Sequence, residues 1–132
     1  MKMTEERHSM TAALVCYSRI GIDGCKTPFQ IYRRIEGACG RNKAFARDIW
    51  AAHECLQVLY ALSDLDTVMT IKEIYFKPFS KAPNRPSMKN EITNRIRRFA
   101  FENHVDERTV YRRLQKARKI WKYIRFAESP DE

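Results

Sequence analysis

Between Arg108 and Arg125 the chain carries eight basic side chains and no acidic one. At about 100° per residue, Arg108, Arg112, Gln115 and Lys119 fall in one line along a helix, with Tyr111, Lys116 and Lys122 flanking it. Guanidinium and ammonium groups in such a line can neutralise phosphates and release their counterions. Arg can also grip the O6 and N7 edge of guanine with two hydrogen bonds, and Gln can address an adenine edge. The Thr109 methyl or hydroxyl can meet a base near the helix start. A face selected only for solubility mixes signs, because Glu–Lys pairs four apart stabilise a helix and like-charge pairs do not. This face tolerates its own repulsion, which a polyanion would relieve.

Catalytic chemistry has no comparable set of residues. A nuclease would need clustered carboxylates, yet the basic half holds only Glu73, Glu91, Glu102, Asp106 and Glu107 before its acidic tail, in no metal-ligand pattern. There is no Gly-rich phosphate loop, nucleophile elbow or H-E-x-x-H. Cys55 and His53 are two residues apart, so on a helix they point about 200° away from each other. The cysteines, Cys16, Cys25, Cys39 and Cys55, are separated by 8, 13 and 15 residues, with no C-x2-C turn. That spacing matches structural zinc poorly even with His53 nearby, and buried reduced thiols fit it better. The expectation is a protein that is no enzyme and takes no metal or cofactor.

The net charge of +9 is unevenly placed. Residues 1–66 carry 9 Lys and Arg against 8 Asp and Glu, whereas residues 67–132 carry 16 against 8. Within residues 88–125 the ratio is 12 to 4. An excess confined to one segment points to a polyanionic partner more than to solubility. No apolar run is long enough to cross a bilayer, and the first residues are too polar for a secretory signal, so a cytoplasmic chain with no membrane contact is expected.

The elements that must position these residues read as helices throughout, with no strand signal of any strength. A first helix is expected over 4–19, capped by Thr4 and ended by Gly21 and Gly24. "TPFQ" at 27–30 predicts a capping box, with Pro28 in the first turn, and a short helix presenting Phe29, Tyr32 and Ile35. From Asn42 to Leu62 an apolar face recurs through Phe45, Ile49, Trp50, His53, Leu56 and Tyr60, the pattern of a bundle core with His53 at its boundary. "SDLD" at 63–66 is a cap-and-turn cluster before Val68, Ile71, Ile74 and Tyr75. A basic, proline-rich loop follows at 77–87, and Ser87 is expected to cap a helix from Met88 to Asn103 with Ile92, Ile96, Phe99 and Ala100 inward. "NHVD" supplies a tight turn in which Asn103 or His104 goes left-handed and Asp106 caps the last helix, 107–126. That helix buries Val110, Leu114, Ala117, Trp121 and Ile124. The fold class expected is an all-α helical bundle with a C-terminal helix-turn-helix.

The stretch "VDERTVYRRLQKARKIW" resembles the recognition helix of sigma-factor region 4 and related regulators. The matching positions are Val105, Asp106, Thr109, Val110, Arg113, Leu114, Ala117, Arg118 and Trp121. The resemblance extends back through "NEITNRIRRF" to the helix at 67–76, about half the chain. Small phage regulators of late transcription, of the ArpU and RinA type, join such a half to an unrelated helical N-terminal half. The segment from Ile92 to Val105 is longer than in sigma-like sequences, and the usual Gly of the turn is replaced.

The division implied is a helical region over 1–65 for packing, dimerisation or partner contact, a helix-turn-helix over 66–126, and an acidic tail over 127–132. The function expected is a sequence-specific regulator of transcription that reads the major groove of double-stranded DNA. Its candidate contacts are Arg108, Thr109, Tyr111, Arg112, Gln115, Lys116 and Lys119, with Lys89 and Arg85 on flanking phosphates. A homodimer is expected from need, since one such unit makes few contacts. The alternative is an antitermination-type protein acting mainly on RNA polymerase, with the N-terminal aromatics as the contact surface.

Overall fold

The computed structural model describes residues 2–22, 25–79 and 85–127, and all regular structure among them is helical. Six α-helices run in the order α1 (Lys2–Arg19), α2 (Pro28–Cys39), α3 (Lys43–Ala61), α4 (Leu65–Ile71), α5 (Arg85–Glu102) and α6 (Glu107–Ala127). A π-helical turn, Lys72–Phe76, continues α4. Among the described residues no helix is long and apolar enough to cross a membrane.

Local chemistry sets most of the boundaries. Thr27 accepts from the Gln30 backbone N–H at 3.2 Å, and the Gln30 side chain accepts in return from the backbone of Thr27 at 3.3 Å and of Lys26 at 2.7 Å. This is the expected capping box, with Pro28 in the first turn. Asn42 caps α3 through its side chain, which accepts from the Phe45 N–H at 3.0 Å. Gly21 turns the chain after α1 at φ 72°, and a Cβ there would lie 3.0 Å from the Arg34 guanidinium. That same guanidinium donates to the Ile20 and Gly21 carbonyls at 2.9 and 3.2 Å, fixing α2 to the end of α1.

Two helix starts differ from expectation. The α1 helix is already under way at Thr4, so Thr4 is not its cap, and α5 begins at Arg85, ahead of Ser87. Pro86 therefore lies in the first turn of α5, where a missing N–H costs nothing. Lys81 of the basic loop, the side chains of Arg85 and Ser87, and the acidic tail from residue 128 lie outside the described residues.

One buried cluster runs across the whole chain, from Met10, Leu14 and Tyr17 of α1 through Ile49, Cys55 and Leu59 of α3 to Val110, Leu114 and Trp121 of α6. Helix α3 is packed between α1, α2 and α6, and α5 closes against α6 and the π turn. Asp48 meets Trp121 and Arg125 while Cys55 meets Ala117, so α3 and α6 run antiparallel. The expected boundary at 65/66 falls at the start of α4, and the core is continuous across it.

The inward face of α3 is rotated from the one read in the sequence. Leu59, Cys55, Ala51 and Ala52 are buried, Trp50, Phe45 and His53 are half-buried, and Tyr60 faces outward. His53 is a boundary residue, its Nδ1 3.0 Å from the Tyr17 hydroxyl and its ring beside Trp50. Cys55 donates its thiol to the Ala117 carbonyl at 3.4 Å, and burial pushes its pKa up to about 12.

Candidate nucleic-acid interface

The candidate interface begins with the turn between α5 and α6. The Val105 N–H donates to Ala100 O at 3.0 Å and the His104 N–H to Phe101 O at 3.4 Å, the paired bonds of a Schellman closure. His104, at φ 55°, takes the left-handed position. Asp106 follows, its carbonyl accepting from Thr109 N at 3.0 Å and Val110 N at 3.3 Å as α6 starts. Val105 packs on the core before the cap, as Val110 does after it, the arrangement of a hydrophobic staple. The entry angle of α6 is thereby fixed at its first turn.

Beyond the burial of Ile96, Phe99 and Ala100, one side chain ties α5 to the π turn. Arg95 donates from Nη1 to the carbonyls of Ile74 at 2.8 Å and Lys77 at 2.9 Å, and from Nη2 to that of Pro78 at 2.6 Å. The same Nη2 meets the Glu91 carboxylate at 2.8 Å, and the guanidinium lies 3.9 Å from the Phe79 ring centroid. The carbonyls come from the π turn and the residues just past it, where the backbone leaves helical geometry. Only a planar fork with five donors can serve so many acceptors at once. Sequence reading did not single out Arg95. The Glu91–Arg95 spacing was visible, but the three carbonyls lie 17 to 21 residues away.

Helix α6 presents two kinds of basic residue. On the flank facing α3 and α4, three are tied to acids: Lys116 to Asp64 at 2.6 Å, Arg113 to Asp66 at 3.9 Å, and Arg125 to Asp48 at 2.5 Å. Arg113 also donates to the Thr70 hydroxyl at 3.3 Å. The Lys116 ammonium, donating to Asp64, holds that carboxyl below its ordinary range, with help from Thr67. On the outward side Arg108, Arg112, Gln115 and Lys119 are all exposed, as is Tyr111. The apolar stripe behind them is buried as expected, with Val110, Leu114, Ala117 and Trp121 inside and Ile124 partly so. The Trp121 indole N–H donates to Asp48 O at 3.0 Å, anchoring the far end of α6 to α3.

Of the nine residues singled out from sequence, the structure brings Arg108, Tyr111, Arg112, Gln115 and Lys119 onto one exposed surface, with Thr109 half-buried beside them. Lys116 lies to one side, drawn to Asp64. Lys89 is exposed but sits toward the opposite end of α5, about 20 Å along the helix from Glu102. Arg97 and Arg98 of α5 are also exposed and were not among the nine; Arg98 lines a groove with Glu73, Lys77 and Glu91, between α5 and the π turn. The run "RIRRF" carried that signal. The exposed aromatic Phe101 stands beside them. Lys77, from the basic loop, is paired with Glu73 at 2.8 Å.

Among the described residues no three His, Cys, Asp or Glu side chains come together as a metal-holding group. Comparison with protein-family models, with curated proteins and with solved structures returns no match to this chain.

Proposed function

We propose that this protein is a sequence-specific DNA-binding regulator of transcription. Helix α5, the turn at 103–106 and α6 act as a helix-turn-helix of the sigma-region-4 kind, and the chain resembles phage late-transcription regulators. The supporting observation is the division of charge on α6. Asp48, Asp64 and Asp66 neutralise the inward flank, while Arg108, Arg112 and Lys119 stay exposed in one line with Gln115 between them. A fold needing only ion pairs would use acids on both sides. Leaving the outer line cationic suits phosphates, with Gln115 and the arginines at base edges. The stapled turn and the Arg95 clamp supply the rigid support that groove reading needs.

The test is duplex binding across a salt series. Wild type should bind with a steep log–log salt slope, and Arg108→Ala/Arg112→Ala should lose about 10- to 100-fold in affinity and about two units of slope. Its stability should stay within about 0.5 kcal/mol of wild type, because neither side chain is buried. No binding at low salt would remove the reading.

A second reading, contact with RNA polymerase in the manner of antitermination proteins, draws on α2. Phe29 and Tyr32 stand on its exposed face, with Arg33 over the Phe29 ring. A groove of about 660 Å³ beside them is lined by Tyr32, Trp50 and Ile124 among others. Aromatic and Arg side chains of this kind are enriched at protein interfaces. A pull-down of purified polymerase that depends on Phe29 and Tyr32, and not on Arg108, would favour it.

A further inference from the structure

The elbow between α3 and α4 carries the opposite chemistry to α6. Residues 55–71 contain no Lys or Arg, in a chain where 25 of 132 residues are basic. Outward from this cation-free segment stand Val58, Tyr60, Leu62, Leu65 and Met69, with exposures from 37% to 59%. Val58 and Leu62 are one helical turn apart, as are Leu65 and Met69, and Leu62 and Leu65 bracket the turn between α3 and α4. Tyr60, two residues from both Val58 and Leu62, points to the other side of α3, where the Lys72 ammonium lies 5.9 Å from its ring centroid. Nothing in the proposed DNA contact uses this surface.

We infer that the strip of Val58, Leu62, Leu65 and Met69 is a two-fold contact between two copies of this chain. Copies with a net charge of +9 repel each other through most of their surface, and the elbow is where they can approach without opposing cations. Its flanking charges are self-complementary. Asp66, its side chain 79% exposed, precedes Met69 by three residues, and Lys72 follows it by three. A two-fold axis through Met69 sets each Asp66 opposite the partner's Lys72 and packs Met69 against its own copy, which is what an isologous interface requires. The area is small. Val58, Leu62, Leu65 and Met69 offer roughly 400 Å² per copy and the flanking Asp66 and Lys72 add to it, so two copies remove about 1,000 Å² from water, the size of a weak contact. The dimer is therefore concentration-dependent. Because Asp64 on this elbow also holds Lys116 at 2.6 Å, the contact is tied to α6.

The inference goes beyond the DNA reading and is tested without DNA, so the two can fail separately. Sedimentation equilibrium of the full chain over a wide concentration range should show a monomer–dimer equilibrium. Leu65→Glu/Met69→Glu should weaken it at least tenfold while circular dichroism stays at the wild-type helix content. Lys72→Glu should loosen the dimer several-fold, and adding Asp66→Lys should restore it. A wild type that is monomeric throughout overturns the inference and leaves the strip to a different protein. A dimer indifferent to Leu65→Glu/Met69→Glu overturns it too, because the copies then meet elsewhere. Failure of the charge swap to restore association overturns the two-fold register.

Discussion

The two elbows of the molecule close in the same way and are secured differently. After α3, Ser63 goes left-handed at φ 58°, and the Asp64 and Ser63 N–H groups donate back to Leu59 and Tyr60 at 2.9 Å each. After α5, His104 does the same at φ 55°. Neither position is glycine. The difference is one residue of connection. Three residues join α3 to α4, so Asp64 must both finish one helix and cap the next, its carboxylate accepting from Thr67 N at 3.2 Å and Thr67 Oγ1 at 2.8 Å. Four residues join α5 to α6, which leaves room for Val105 between closure and cap. The shorter elbow is therefore tied to α6 by charge, through Lys116, and the longer one by apolar packing. A tie by packing is insensitive to salt and pH. The turn that would present α6 to a polyanion is the one with that kind of tie.

The largest test of this comparison removes what the elbows share. Trp121 is fully buried and bonded to α3. Trp121→Ala should cost about 3–5 kcal/mol, and both elbows should lose protection together in hydrogen exchange.

A smaller change separates them. Asp64→Ala removes a cap and an ion pair, and should cost about 1–2 kcal/mol at neutral pH. The Asp64 pKa is lowered from its ordinary value of 3.8, mainly by the Lys116 ammonium. The folded pKa thus lies below the unfolded one, so the stabilisation is present above the unfolded value and is lost as pH falls through the folded one. Thermal melts should show the wild-type advantage over Asp64→Ala shrinking below about pH 4. An advantage that persists unchanged in acid would mean the carboxylate does not secure this elbow.

The smallest effect should be common to both. Ser63→Gly and His104→Gly each relieve a left-handed residue, and each should stabilise by about 0.5–1 kcal/mol in denaturant titrations. A gain at one elbow only would show that the closures are not equivalent.

Local signals were legible in the sequence, and long-range ones were not. The Thr27–Gln30 box, the cap within "SDLD" and the left-handed residue before Val105 each depend on groups within a few positions. The buried stripe of α6 was legible because eighteen residues of strict periodicity leave one solution. The rotation of α3 was not, since its apolar residues occupy more than half the helix circumference, and only contact with α1 and α6 selects Leu59 over Tyr60. Nor could spacing show that Asp48, Asp64 and Asp66 would take Arg125, Lys116 and Arg113, which lie about fifty or more residues away. The outward line of α6 was readable from sequence, and its separation from the tied flank required the fold.

The bonds that hold α6 to α3 span 62 to 77 residues of chain. During synthesis the first five helices leave the ribosome with the groove for Trp121 still empty, and the core can close only when α6 arrives. Contacts of this reach are formed late and slowly. The basic helix is thus also the final piece of the fold. A chain interrupted before Trp121 would have no stable scaffold on which to hold Arg108 and Arg112 in their outward line.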